Sequence, residues 1–273
     1  MYNMFITVLG RIMEKNFTKI ITPIIKKAGE IMLSATNVEI AEIKQGDVNY
    51  VTFYDKKVQD FLIENLKKAY PNAYFIAEEK DNDNKTLQND LCFIIDPIDG
   101  TTNFIRDYKT SSISIGLFSR GEGIFGAILN PYLNELFTAE KGKGAFLNGE
   151  KIAVSNKSFN EAIYAFGSSP YYKSELAEKT FNIAKTLFLS CTDIRRSGSA
   201  ALDFCHVASG RIDLFFECRL SPWDFAAGSV IVKEAGGIIT DMDGNELDFS
   251  KPQSILCANK KAYNKALEAV KNA

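Results

Sequence analysis

Histidine is almost missing from this chain: among 273 residues only His206 is one, and it lies in the apolar run Leu202–Val207. A lone histidine in that setting reads as structural, which argues against catalysis through a histidine-based triad. The five cysteines (Cys92, Cys191, Cys205, Cys218 and Cys257) form no CxxC pair. That arrangement argues against a structural zinc site, and the odd number fits reduced thiols of a cytoplasmic protein better than a disulfide framework. No apolar run approaches the ~20 residues needed to cross a bilayer. Met1–Leu9 is apolar but short, with no basic leader and no small-residue cleavage site, so it does not read as a signal peptide. A strong charge of either sign is also lacking: Lys and Arg number 32 against 34 Asp and Glu, for a net charge of -2. The whole molecule offers no broad attraction to nucleic acid, which is therefore not expected as the main partner. A soluble, cytoplasmic protein is expected.

The composition itself, 46% hydrophobic and 24% charged, is that of a globular chain long enough for one large or two intimately packed domains. Apolar residues at helical spacing from Phe17 to Leu33 (Ile20, Ile21, Ile24, Ile25, Ala28, Ile31, Met32) predict an amphipathic helix. A second helix runs from about Tyr54 to Ala69 and stops at Pro71, and Ala73–Ala77 then reads as a short strand leading into Glu78 and Glu79. Lys80–Asp90 is a surface loop by composition, and Leu91–Ile95 a buried strand delivering Asp96. Ser111–Phe118, Gly123–Leu129 and Glu135–Ala139 suggest an antiparallel meander. Further on, strands near Ala162–Phe166, Ile212–Phe216, Ile238–Thr240 and Ile255–Ala258 alternate with helices near Ser174–Leu187, Ala200–Ala208, Trp223–Ala235 and Lys261–Lys271, as α/β layering requires.

The segment Asp96-Pro97-Ile98-Asp99-Gly100-Thr101-Thr102-Asn103-Phe104 is the most informative. Asp96 and Asp99 lie three positions apart across a proline-stiffened bend, with the Ile98 carbonyl nearby, and hard oxygen donors of this kind suit Mg²⁺. Gly100 removes the Cβ that would keep a phosphate from the backbone, and free amides at a helix start supply donors and a favourable dipole. A carboxylate pair at a strand end can equally be a turn or cap. Glu78 and Glu79 after another strand, and Asp224 beside the only tryptophan in Trp223-Asp224-Phe225-Ala226-Ala227-Gly228, strengthen the metal reading. Acids gathered together repel one another and need cations.

In order and spacing, DPIDGTTNF, the preceding Glu78-Glu79 and the later WDFAAG resemble the signatures of inositol monophosphatases. The resemblance extends from Phe17 through GKGAFLNG (Gly142–Gly149), RRSGSAALDFCHVASGRID (Arg195–Asp213) and EAGGIITD (Glu234–Asp241), and is nearest to the bacterial members. It implies a layered αβαβα sandwich, with residues 1–16 as an N-terminal extension and 17–273 as one phosphatase unit. That unit would comprise an α+β half (about 17–150) and an α/β half (about 151–273), and would be a homodimer. It further implies hydrolysis of inositol monophosphate by metal-activated water, lithium sensitivity, and two or three Mg²⁺ ions held by Glu78, Asp96, the Ile98 carbonyl, Asp99 and Asp224. A Thr101–Asp55 pair would help activate the water. The phosphate and substrate hydroxyls would meet Gly100, Thr101, Thr102, Ala200, Glu217, Asp99 and Asp224, with Glu79 and Lys44 in support.

The nearest alternative is the same chemistry on fructose bisphosphate or sugar phosphates broadly. A second phosphate needs a basic partner, so Arg195 or Arg196 in the cleft would favour it. Lys-Glu at Thr102-Asn103 or Arg at Thr102, found in relatives acting on adenosine bisphosphate or histidinol phosphate, is absent. A different alternative is a pseudoenzyme or a protein binding RNA or a transcription complex through an Arg-containing surface; the intact carboxylate set argues against loss of catalysis.

Overall fold

The computed structural model describes residues 16–36, 38–43, 50–80 and 82–273. Residues 1–15 of the expected N-terminal extension, and Lys44, lie outside the described residues. The expected first helix is α1 (Phe17–Leu33), which buries Phe17, Ile21, Ile25, Ala28 and Met32 and is capped by Asn16 Oδ1 accepting from Lys19 N at 2.8 Å. A short hairpin, β1 (Ile40–Ile43) with β2 (Tyr50–Thr52), precedes α2 (Phe53–Ala69).

A seven-stranded sheet follows, in sequential order β3 (Tyr74–Ala77), β4 (Cys92–Asp99), β5 (Ser112–Ser119), β6 (Glu122–Asn130), β7 (Glu135–Glu140), β8 (Gly144–Leu147) and β9 (Glu150–Ile152). Only β3 and β4 pair in parallel; β5, β6 and β7 form the expected meander, which β4, β8 and β9 extend. The surface segment between β3 and β4 contains a 3₁₀ turn at Asn84–Gln88. The second sheet has the order β11 (Asp193–Arg195), β10 (Ile163–Phe166), β12 (Leu214–Leu220), β14 (Gln253–Ala258), β13 (Ile238–Thr240).

Alternation of side chains along each strand builds the layers. Phe93 and Ile95 of β4, with Ile113, Ile115 and Leu117 of β5, face α1 and α2. The opposite face of the seven-stranded sheet packs with α5 (Ala200–Ala208) and α6 (Pro222–Glu234), which also cover Phe215 and Cys257 of the second sheet. Tyr164, Phe166, Leu214, Phe216 and Leu256 point the other way, onto α4 (Lys173–Phe188) and α7 (Tyr263–Lys271). The result is the expected αβαβα sandwich. Two glycines set how closely the middle layer lies on the first sheet. A Cβ on Gly126 would stand 2.5 Å from the Ala227 carbonyl oxygen, and one on Gly116 would stand 3.1 Å from Ala226 Cβ. Their absence of side chains lets α6 sit against β5 and β6, and so brings its N-terminus to the end of β4.

Candidate active site

Four helices direct their first turns at one region. α2 begins with Thr52 as cap and Asp55 in the capping-box position; Thr52 N donates to Asp55 Oδ2 at 2.7 Å. α3 (Thr101–Ile105) begins at Gly100, whose φ of 84° is left-handed and whose Cβ would meet the Gly198 carbonyl oxygen at 3.0 Å. Ser199 caps α5, and Ser221 caps α6 with Asp224 completing its box. Free amides and positive dipole ends thus converge where carboxylates and phosphates are stabilised.

The strand expected to end at Ile95 continues to Asp99, with a register shift between Asp96 and Asp99. That irregularity lies where the proline-stiffened bend was expected, and both aspartates stay buried on the sheet. Asp96 Oδ1 accepts from Ile98 N at 3.0 Å. Asp99 Oδ2 accepts from Ser199 Oγ, from Ser112 Oγ at 3.3 Å and from Ala201 N at 3.1 Å. Asp224 Oδ2 accepts from Ser221 N at 2.7 Å. Each carboxylate is therefore fastened through one oxygen, and one ligand atom from each of Asp96, Asp99 and Asp224 lies within 4.8 Å of the others. Burial, then the neighbouring carboxylates, holds the Asp96 carboxyl well above the ordinary range; Glu78 heads those neighbours. Asp99 is pushed up to about 6 by burial, against its hydrogen bonds, and Asp224 well up by burial and by Glu78 and Asp99. Oxygen-only donors that raise one another's pKa are a set suited to a hard divalent cation.

The cleft above this floor is about 900 Å³ and is lined by Glu78, Gly100, Thr101, Thr102, Ala200 and Glu217 as well as the three aspartates. Asp55 lies behind it: Thr101 Oγ1 donates within 3.4 Å of Asp55 Oδ1 and 3.1 Å of the Ile98 carbonyl. Burial raises the Asp55 carboxyl to about 6, with Glu79 adding to the rise. Glu79 does not line the cleft; its backbone exchanges two 2.9 Å hydrogen bonds with the Gln59 amide. Glu217 is buried and accepts from Ser169 N at 2.8 Å and from Ser169 Oγ at 3.2 Å. A Cβ on Gly167 would stand 1.8 Å from Glu217 Oε2, so only glycine leaves room for this carboxylate.

The two adjacent arginines part company. Arg195 pairs with Asp193, whereas Arg196 lines the cleft and donates from Nη2 to Ser168 Oγ at 2.8 Å. Ser112, Ser199, Gly167, Arg106 and Arg219 also belong to the cleft or its supports and were not singled out by sequence. For Ser199 a signal existed, its position just before an apolar helix. His206 is half-buried, 3.9 Å from Asp203 Oδ1, and burial lowers its pKa, in keeping with a structural role.

Fold and site together define a member of a phosphatase family with an acidic cleft of metal-binding type. That family is the inositol monophosphatase family, which matches residues 13–273, and the chain belongs to it. The chain is 41% identical over 224 residues to Nus factor SuhB of Escherichia coli (strain K12), covering 80% of this chain and 82% of that protein. It is 39% identical over 229 residues to inositol monophosphatase 3 of Solanum lycopersicum, covering 82% and 85%. The crystal structure of extragenic suppressor protein suhB from Bartonella henselae superposes with a TM-score of 0.87 at 33% identity, covering 95% of this chain and 100% of that one. Phosphatase and Nus factor names both occur among these relatives, so membership does not by itself select a substrate. The expectation against nucleic acid as main partner draws no support from them. Among the described residues no helix is long and apolar enough to cross a membrane.

Proposed function

We propose that the chain is a Mg²⁺-dependent phosphomonoesterase that hydrolyses inositol monophosphate to inositol and phosphate. The observation that carries this reading is the Asp96–Asp99–Asp224 cluster sharing a cleft with the first turn of α3. Asp96, Asp99, Asp224, Glu78 and the Ile98 carbonyl would hold two or three Mg²⁺ ions. When bound, Mg²⁺ supplies charge neutralisation at the phosphoryl group and a lowered pKa for the attacking water.

The other steps belong to the chain's own groups. Amides at Gly100 and Thr101 receive phosphate oxygens, in the manner of a helix start. The Thr101 hydroxyl hydrogen bonds to Asp55, so its lone pair is free to orient the attacking water and pass its proton toward the Asp55 carboxylate. With a carboxyl pKa of about 6, Asp55 is ionised at neutral pH and able to take that proton. Glu217 accepts hydrogen bonds from substrate hydroxyls, and Ala200 and Thr102 border them. Glu79 adds to the raised pKa of the Asp55 carboxyl and would support the metal shell. Five free cysteines support a reducing, cytoplasmic setting, and a homodimer follows from the family resemblance.

The test is phosphate release with Mg²⁺ from inositol monophosphate, fructose bisphosphate and adenosine bisphosphate in parallel, with Asp96→Asn beside the wild type. Dominant turnover of inositol monophosphate, lost in the variant, is the expected outcome; no metal-dependent release from any of the three would sink the reading. The name Nus factor among relatives favours examining a second role, a partner interaction through the arginine-bearing surface. Such a role would survive Asp96→Asn.

A further inference from the structure

Strand β5 carries two serines, and each stands opposite an aspartate of the cleft floor. In the antiparallel ladder Ser112 pairs with Asp99 and Ser114 with Asp96. Directly opposed residues share a face of the sheet, so each serine points the same way as its aspartate. Ile113, Ile115 and Leu117 alternate with them onto α1 and α2. The Ser112 hydroxyl is engaged: its Oγ donates to Asp99 Oδ2 at 3.3 Å and lies 3.4 Å from Ser199 Oγ. The Ser114 hydroxyl is not. Ser114 is fully buried, and among the described residues its Oγ has no hydrogen-bond partner.

A buried hydroxyl without a partner is costly, because it has given up water and gained nothing in return. An alanine would avoid that cost, and further along the strand the sheet face is apolar: Gly116 lies against Ala226 of α6, and Cys92, Ile94, Phe118 and Ala226 form one buried cluster. The residue across the ladder supplies a reason for the hydroxyl. Asp96 Oδ1 accepts from Ile98 N at 3.0 Å, whereas Asp99 Oδ2 accepts from Ser199 Oγ, Ser112 Oγ and Ala201 N. Among the described residues Asp96 is thus held by fewer amide and hydroxyl donors than Asp99, and the hydroxyl opposite it is the unused one. A carboxylate accepts at about four lone-pair sites, which leaves room on Asp96 for both a cation and a further donor.

We propose that Ser114 is a positioning residue for the metal centre: with a cation bound, its hydroxyl donates to the Asp96 carboxylate and holds it as a ligand, as Ser112 holds Asp99. This rests on the Mg²⁺-dependent reading above and deepens it. A donor behind a ligating carboxylate fixes the direction of the ligand, and such supporting groups govern metal affinity almost as strongly as the ligands themselves. The hydroxyl is therefore a cost to the metal-free protein and an asset to the loaded one, so its removal should move stability and metal affinity in opposite directions.

The experiment titrates Mg²⁺ into wild type, Ser114→Ala and Ser114→Cys, following the rise in Tm, and compares urea unfolding of the three proteins in EDTA. Loss of a group that supports a ligand costs roughly tenfold to a hundredfold in metal affinity. Both variants should need about tenfold more Mg²⁺ or beyond for the same rise, since cysteine keeps nearly the size of serine but is a weak donor. In EDTA, Ser114→Ala should unfold at higher urea than wild type, a sign that a hydroxyl needed only for packing would not give. Unchanged Mg²⁺ affinity in Ser114→Ala, wild-type affinity in Ser114→Cys, or a lower urea midpoint for Ser114→Ala in EDTA would each overturn the assignment. Phosphate release from inositol monophosphate is read separately. If wild type binds Mg²⁺ but releases no phosphate, the phosphatase reading fails while the affinity comparison still decides Ser114; if wild type shows no response to Mg²⁺, both fall.

Discussion

The floor of the cleft and its rim are built on opposite plans. On the floor, Asp96, Asp99 and Asp224 come from a strand and a helix start, each fastened through one oxygen to a donor from the chain. At the rim, Arg196 and Arg219 are exposed and lack ion pairs among the described residues. The floor concentrates charge that burial and mutual repulsion make costly, a cost that a bound cation or a proton relieves. The rim keeps charge at little cost, because exposed guanidinium groups remain hydrated. The floor is thus suited to the reaction itself and the rim to choosing what is brought to it, and changes to the two should separate in both activity and stability.

The largest effect should come from the floor. Asp96→Asn keeps the shape and removes a charge, and phosphate release should fall by roughly a thousandfold, the scale on which losing a transition-state charge stabiliser is felt. The stability change should have the opposite sign. In EDTA the variant should unfold at higher urea than wild type, by on the order of 2 kcal/mol, because a buried repelling carboxylate has gone. Mg²⁺ should raise the Tm of wild type and have little effect on the variant. An EDTA-treated Asp96→Asn protein less stable than wild type would show that the floor is not strained without metal.

Second in size is a pH effect from Glu217, which lies between floor and rim. Burial raises its carboxyl from 4.5 to about 7 in the fold. Above pH 4.5 the unfolded chain gives up this proton before the folded chain does. Stability therefore falls as pH rises through the window from 4.5 to about 7, and no further loss comes from Glu217 above it. The full difference is roughly 3 kcal/mol. Other raised carboxyls act in the same direction, so the measurement is the difference between wild type and Glu217→Gln in EDTA. The variant should gain relative stability from pH 5 to pH 8, and a flat difference would refute the assignment.

Sequence periodicity carried most of the fold. α1, α2, α4 and α7 were legible because each buries one apolar face, α5 and α6, buried nearly all round in the middle layer, because they are apolar throughout, and the central strands because they are continuous apolar runs. The strands missed, β1, β2, β8, β9 and β11, are three or four residues long and partly polar, too short for alternation to stand out. At the site, Asp96, Asp99, Thr101 and Asp224 stand in motifs, whereas Asp55 followed only from the family resemblance. The groups that hold them were less so: Ser199 grips Asp99 across 100 positions, and Gly167, just past the end of β10, makes room for Glu217 on β12. Local patterns do not encode such pairings. Thr52 was the exception in principle, since Thr-x-x-Asp before an apolar helix is a capping box.

A third change tests whether the floor depends on layer spacing. Gly126→Ala places a methyl 2.5 Å from the Ala227 carbonyl oxygen, a backbone atom that moves only with α6. Destabilisation of about 2 kcal/mol is expected, the usual scale for overpacking a fitted interface. Because Asp224 stands in the first turn of that helix, Mg²⁺ affinity measured by thermal shift should fall as well. Lost stability with unchanged Mg²⁺ affinity would mean that the N-terminus of α6 stays in place while its middle shifts.

The smallest effect should come from the arginine beside the rim. Arg195 and Arg196 are neighbours in sequence, and composition offers no way to tell them apart. Arg195 lies on the edge strand β11 and is paired with Asp193, both partners being about half exposed. An exposed pair of this kind contributes about 0 to 1 kcal/mol, and salt weakens it further. Arg195→Gln should therefore shift urea stability by about 0.5 kcal/mol or less. It should also leave the KM for inositol monophosphate where wild type has it, because Arg195 does not line the cleft. If Arg195→Gln instead raised that KM, net charge near the cleft would be responsible, and the contrast between a cleft arginine and a neutralised one would lose its meaning.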